Sequence, residues 1–162
     1  MIRKAENADI KSIARIYSQL HKKHTEICPD YFNMPELSFF ESRISETLSK
    51  GETSLIVYEQ DDKIQGYAEV FVHEIQENEN RKVYRRCLIQ QLAVDTDCQR
   101  NGVGGKLVEY IKSYANEHFC HSVELGVWYE NYNAVDFYGA MGFTPRMYKM
   151  EIKLVNNKIG GI

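Results

Sequence analysis

The chain has 162 residues, 43% hydrophobic and 27% charged, with a formal net charge of −3. This composition excludes an intrinsically disordered polypeptide, and the acidic balance excludes a global attraction to nucleic acid or to an anionic membrane. No apolar run reaches the roughly 20 residues of a membrane-spanning helix, and the opening "MIRKAENADI" has no signal-peptide core. One domain over residues 1–155, a flexible tail over 156–162 and a cytoplasmic location are therefore expected.

"IRKA" reads as a short opening strand. A helix follows from Asn7, capped by Asn7 or Asp9, with Ile10, Ile13, Ile16, Tyr17 and Leu20 on one face. It is expected to dissolve within "HKKHTEICPD", where Pro29 bars continuation and His21 and His24 read as a solvated end. "PELSFFESRISETLSKG" is a second helix with Phe40, Ile44 and Leu48 inward and Gly51 as its stop. "TSLIVYEQ" and "IQGYAEVFVHEI" form a hairpin around "DDK", and "NENR" turns the chain into the long strand "VYRRCLIQQLAV". Arg81, Lys82, Arg85 and Arg86 lie beside Glu77 and Glu79, which reads as a solvated loop rather than a phosphate patch. After "DTDCQRNGVGG" comes a helix with Leu107, Tyr110, Ile111, Tyr114 and His118 along one stripe. "SVELGVWY" is a strand, "NYNAVDFYGAMGF" a short helix ended by Gly142, and "RMYKMEIKL" a last strand that closes the sheet. The order predicts an α/β (α+β) fold, a mixed sheet of about six strands with four flanking helices.

Cys28, Cys87, Cys98 and Cys120 show no CxxC spacing and read as reduced thiols. His118, Cys120 and His121 straddle a helix end without a second ligand pair, so no metal site is expected.

"QRNGVGG", Gln99 to Gly105, places three of the chain's ten glycines where a helix begins. Helix starts carry backbone N–H groups without internal partners, and glycines let an anion approach them. Two common phosphate motifs fail. The dinucleotide fingerprint lacks its third glycine, since Leu107 stands there, and a P-loop would need Ser or Thr after Lys106. On these residues alone, a phosphate cradle aided by Arg100 and a plain glycine turn both remain open.

Two stretches together resemble the GNAT superfamily of acyl-CoA-dependent N-acetyltransferases. Gln99, Gly102 and Gly104 fill its [Q/R]-x-x-G-x-[G/A] signature, and Asn131, Ala134 or Val135, Phe137, Tyr138, Gly142 and Phe143 resemble its "N-x-x-A-x-x-F-Y-x-x-x-G-F" segment. As architecture the likeness spans Ile2 to Leu154. It implies a GNAT fold with splayed fourth and fifth strands, and acetyl-CoA as co-substrate. It further implies pyrophosphate on the amides of Arg100, Asn101, Gly102, Val103, Gly104, Gly105 and Lys106, with Gln99 in the signature. The pantetheine arm would lie along the main chain of Leu92, Ala93 and Val94, where the family has a bulge.

By the same likeness Tyr138 is the general acid for the leaving thiolate, against the plainer reading of a half-buried helix aromatic. Asn131 bonds the pantetheine, caps a helix, or does both. Many relatives carry a carboxylate on the fourth strand, but here Leu88, Ile89, Gln90 and Gln91 stand there, and a glutamine amide takes no proton at neutral pH. Glu69 is the candidate base and Glu124 the other substitute; both alternate with apolar neighbours, so each could instead face solvent. A water relay would need neither. Tyr31, Tyr129 and Tyr132 are the candidate acceptor-binding residues, with Tyr31 and Phe32 alternatively covering the core.

The reading is an N-acetyltransferase acting on a primary amine of a small molecule or protein by direct attack, without metal, nucleic acid or membrane partner. The resemblance allows a homodimer. The alternative is a non-catalytic acyl-CoA-binding sensor of the same fold.

Overall fold

A computed structural model describes residues 1–154. Five strands, β1 (Ile2–Lys4), β2 (Ser54–Gln60), β3 (Lys63–Ile75), β4 (Tyr84–Val94) and β5 (Ser122–Leu125), form one sheet in that order. The first four pair antiparallel, and β5 adds parallel to β4.

Alternation along β2 divides the core in two. Leu55 and Val57 meet Ile13 and Ile16 of α1 (Ile10–Ile27) and Ile44 of α2 (Leu37–Lys50). Ile56 and Tyr58 point the other way, to Val103, Leu107 and Ile111 of α3 (Val103–Glu117). Successive strand side chains leave opposite faces, so each face receives its own helix layer. The hairpin turn expected at "DDK" forms with Asp61 and Asp62 at φ 53° and 56°, and α2 stops at Gly51 as expected.

Three sequence expectations change. The first helix does not dissolve in "HKKHTEICPD"; it runs to Ile27, and Cys28, which precedes Pro29, takes the non-helical φ −129° and ψ 68°. His21 and His24 are half-buried rather than on a fully solvated face, packing edge-on or tilted against Phe32, with His21 also against Tyr17 and Phe40. The fifth strand stops at Leu125 and does not take in "GVWY", since Trp128 turns away to meet the rings of Tyr31 and Phe32.

The sixth strand does not form. Among the described residues, 144–154 make no backbone hydrogen bond and belong to no sheet. Alternation specifies two faces, whereas a strand also needs an edge to pair with. The expected flexible tail lies outside the described residues.

Candidate active site

The site is built where β4 ends. Asp95, fully buried, accepts from Arg15 Nη2 at 2.6 Å and Gln19 Nε2 at 3.3 Å, with Lys63 Nζ at 3.3 Å. The Arg15 guanidinium holds this carboxyl well below the usual carboxylate range, against the opposing effect of burial. Gln19 also accepts from the Thr96 N–H at 3.1 Å. Helix α1 therefore fixes the position from which the glycine loop departs. Asp95 was not singled out in the sequence, although "VDTDC" carried a signal: its carboxylate accepts from the Asp97 N–H and caps a one-turn 3₁₀ helix, Thr96–Cys98.

Gln99 then folds back, donating from Nε2 to the Val94 carbonyl at 3.2 Å. Arg100 takes φ 64° and Gly102 φ 77°, left-handed values that suit glycine and strain most other residues. Gly102 is the N-cap of α3, and its carbonyl accepts from the Lys106 N–H at 3.1 Å. The Lys106 amide is thereby satisfied inside the helix, unlike the expectation for it. The amides of Arg100 through Gly105 have no acceptor among the described residues. Consecutive unpaired N–H groups at the positive end of a helix dipole make an anion site.

The three glycines act differently. A Cβ on Gly104 would meet the Phe137 ring at 3.2 and 3.3 Å, so any larger residue there presses on the close packing of α3 on α4 (Tyr132–Ala140), whatever binds above it. On Gly105 it would meet only Met141 Sδ at an ordinary 3.8 Å. The Lys106 ammonium donates to Tyr58 Oη at 3.0 Å and lies over that ring, which anchors it on β2.

Beside the loop, the sheet opens. The β4–β5 ladder pairs Arg86–Ile89 with Ser122–Leu125 and ends there. Leu92, Ala93 and Val94 continue along β3 but have no β5 neighbour. The fourth and fifth strands are thus splayed. Glu69 pairs with Gln91 and Val70 with Ile89, leaving Gln90 as the extra residue of a bulge. The irregularity lies two residues ahead of Leu92, and no glycine marks it.

Glu69 does not face solvent. It is buried on the α1–α2 side of the sheet, accepting from Arg43 Nη2 at 3.4 Å and Thr53 Oγ1 at 3.3 Å. It opens with Gln90, Arg43 and Lys50 onto a cleft of about 380 Å³. Tyr67 donates to the side-chain carbonyl of Gln91, so that amide is a fixed part of the wall. Glu124, the other substitute base, is more heavily paired than Glu69. It is held by Arg86 at 3.1 Å, Arg146 at 2.8 Å and Ser122 at 2.9 Å.

Helix α4 supplies the residues of the second motif. Tyr138 packs edge-on to Phe137 and Phe143. Burial pushes its phenol up to about 12, so it keeps its proton throughout neutral pH. Among the described residues its hydroxyl has no hydrogen-bond partner. Asn131 is the N-cap of α4 by position, but its side chain makes no capping bond; its carbonyl receives the Ala134 and Val135 amides at 2.9 and 3.0 Å.

The connections α1–α2 and β5–α4 meet in an aromatic cluster. Trp128 lies 5.9 Å from Tyr31 and 5.8 Å from Phe32. Tyr31 is 74% exposed and so does not cover the core. Tyr129 and Tyr132 form an exposed edge-on pair at 6.1 Å. Burial, with the neighbouring His21, lowers the His24 pKa. Trp128 joins this cluster without having been named from sequence, where it read as part of a strand.

The family model for acetyltransferases (GNAT) matches residues 14–143. The chain belongs to the GNAT acetyltransferase family. Among solved structures it is similar to a variant of the BH1408 protein from Bacillus halodurans, with 26% identity, TM-score 0.91, and coverage of 96% of this chain and 99% of that one. It is also similar in fold to glucosamine-6-phosphate N-acetyltransferase from Arabidopsis thaliana (22%, TM-score 0.67, 96% and 98% covered). A third likeness in fold is to the aminoglycoside acetyltransferase meta-AAC0020 from an uncultured soil metagenomic sample, solved with sisomicin (19%, TM-score 0.69, 97% and 96% covered). The mixed sheet with four helices is that of the GNAT family, with five strands where six were expected. Members of this acyltransferase family use acetyl-CoA as co-substrate.

Proposed function

We propose that this GNAT acetyltransferase transfers the acetyl group of acetyl-CoA to a primary amine of a small molecule or protein by direct attack. The observation that carries the reading is the run of unpaired amides, Arg100 to Gly105, set beside the unpaired β4 edge at Leu92–Val94. A diphosphate suits the first and an extended amide-bearing arm suits the second.

The residues present fit that co-substrate. Amides of the loop would bind its pyrophosphate, with Gln99 bracing the loop against Val94. The main chain of Leu92, Ala93 and Val94 would orient the arm, and the Asn131 side chain, free of capping, is available to it. Acetyl-CoA supplies an activated thioester. Tyr138 holds a proton for the departing thiolate, and main-chain N–H groups of the open edge would stabilise the carbonyl oxygen as charge develops there. Glu69 accepts the amine's proton through water in the cleft it shares with Gln90. Tyr31, Tyr129 and Tyr132, with Trp128, offer aromatic faces to a cationic acceptor.

The test is a thermal-shift titration followed by an amine panel with thiol detection. Acetyl-CoA, and not ATP or NAD, should raise Tm, because a ligand bound only by the folded state stabilises it. Amine-dependent release of free CoA should follow. Stabilisation without release from any amine would instead support a sensor.

A further inference from the structure

We propose that the cleft at Glu69 takes the acceptor as a free α-amino acid with a polar side chain, its ammonium toward Glu69 and its carboxylate toward Arg43. This rests on the acetyl transfer proposed above and names its substrate class. The Glu69 side chain is only 2% exposed. Its Oε1 accepts from Arg43 Nη2 at 3.4 Å and Thr53 Oγ1 at 3.3 Å, while Oε2 has no hydrogen-bond partner among the described residues. No fully buried side-chain oxygen of those residues lacks a partner, so Oε2 reaches the cleft. A buried carboxylate with one oxygen open calls for a donor, because buried charge is costly unless it is paired and hydrogen-bonded.

Arg43 is the other half of the site. Its guanidinium donates to Thr47 and Glu69, which leaves other N–H groups of the fork unused, and its side chain lines the same cleft at 38% exposure. A cation and an anion 3.4 Å apart on one wall complement a ligand with the opposite charges on neighbouring atoms. An α-amino acid carries both on one carbon. A lysine side chain, a peptide N-terminus or a polyamine brings a cation with no carboxylate beside it, and would meet the Arg43 charge uncompensated. The volume, about 380 Å³, suits a small molecule. The mouth is polar: Lys50 and Glu46 pair across it at 2.6 Å, both more than half exposed, and Glu52 joins them in the lining. Such a pair is weak and exchanges partners readily, which suits a polar or charged side chain.

The cleft also meets the open edge. Glu69 is the cross-strand neighbour of Gln91, the bulged Gln90 lines the cleft, and Leu92 follows in β4. The ammonium gives one proton to Glu69 and so to solvent. The neutral amine then forms its N–C bond as the C–S bond breaks. The thiolate takes the Tyr138 proton, and the proton shed by the acylated nitrogen restores Tyr138 through solvent. The products are an N-acetylamino acid and CoA.

Calorimetric titration of the full chain, with and without free CoA, tests the site by binding alone. The probes are L-glutamate, L-glutamine and L-lysine, each beside its α-amide and the matching amine that lacks the α-carboxylate. At least one amino acid should bind, with its amide and its decarboxylated amine about 10-fold or more weaker, the scale of a lost charge-assisted bond. Arg43→Gln, which keeps a donor toward Thr47 and Glu69, should erase that difference. No binding by any of these amino acids, or equal binding by acid, amide and amine, overturns the proposal. If the variant unfolds, the probe series on the wild-type chain decides. Thiol release with acetyl-CoA then separates the two readings. Amino-acid binding without release leaves the site standing and counts against the reaction. Release with the decarboxylated amines alone keeps the reaction and sinks the amino-acid site in favour of the aromatic faces.

Discussion

The ring of Phe137 lies directly over Gly104, close enough that a methyl group on that glycine would stand 3.2 Å from it. This contact joins the second motif to the first: the residue before Tyr138 is seated on the helix whose leading amides form the loop.

Gly104→Ala should therefore lower Tm, at about 1–3 kcal/mol for an overpacked contact, before any effect on ligand binding. Gly105→Ala should leave stability level or raise it by up to about 1 kcal/mol, since glycine is a poor helix residue. If the loop holds the co-substrate's phosphates, Gly105→Ala will still raise KM for acetyl-CoA. Denaturation and steady-state kinetics on the two variants separate these effects. An unaltered KM in Gly105→Ala would count against phosphates approaching that amide.

Tyr138→Phe removes one hydroxyl that no protein group bonds among the described residues, so the fold should be unchanged. Turnover should fall about 10²-fold or more, as for loss of a positioned acid, with little change in KM for acetyl-CoA. Because its phenol is raised to about 12, Tyr138 should add no alkaline limb to the rate profile below about pH 10. Wild-type turnover in the Phe variant would remove Tyr138 from the mechanism.

Glu69→Gln keeps shape and hydrogen bonding to Thr53 while deleting the carboxylate proposed to accept the proton. The expected result is a 10- to 100-fold loss of kcat/KM, of the order seen for general bases, partly recovered at higher pH where more free amine is present. A merely structural role would lower Tm and leave the shape of the pH profile alone.

Asp95→Asn leaves Arg15 and Lys63 facing a neutral amide and should cost about 3 kcal/mol, the scale for breaking a buried pair. The sign with pH follows from the pairing. The folded carboxyl titrates below its ordinary 3.8, so its contribution is complete above that value and is lost as pH falls below it. Urea unfolding at pH 7 and pH 3 should show the gap between wild type and variant shrinking on acidification.

What could be read from sequence was local. "QRNGVGG" declared itself because few structures other than a helix start would group glycines ahead of "KLVEYIK", and Gly51 declared a helix end for a similar reason. Asp95 stayed silent since Arg15, Gln19 and Lys63 lie 32 to 80 positions away in the chain, and no spacing rule links them. The alternation of β3 around Glu69 left its direction open, because a polar residue between apolar ones faces water on most sheets. Here a second helix layer covers that face. The last strand shows the same limit from the other side: its pattern was legible and its partner was not. Trp128 was read as strand because an aromatic suits one; only the arrival of Tyr31 and Phe32 from a distant loop turns it out.

The bond between Lys106 and Tyr58 has a chemical consequence of its own. If the proposed transfer to amines is right, the protein's own lysines are competing acceptors. The one lysine in the glycine loop keeps its nitrogen 3.0 Å from a phenol on β2, and the loop faces its ligand with peptide nitrogens, which are not nucleophiles. An anion held there would be attracted by peptide N–H groups, which carry no titrating proton near neutral pH. On the proposed reaction, that anchoring keeps the loop's one lysine away from its ligand.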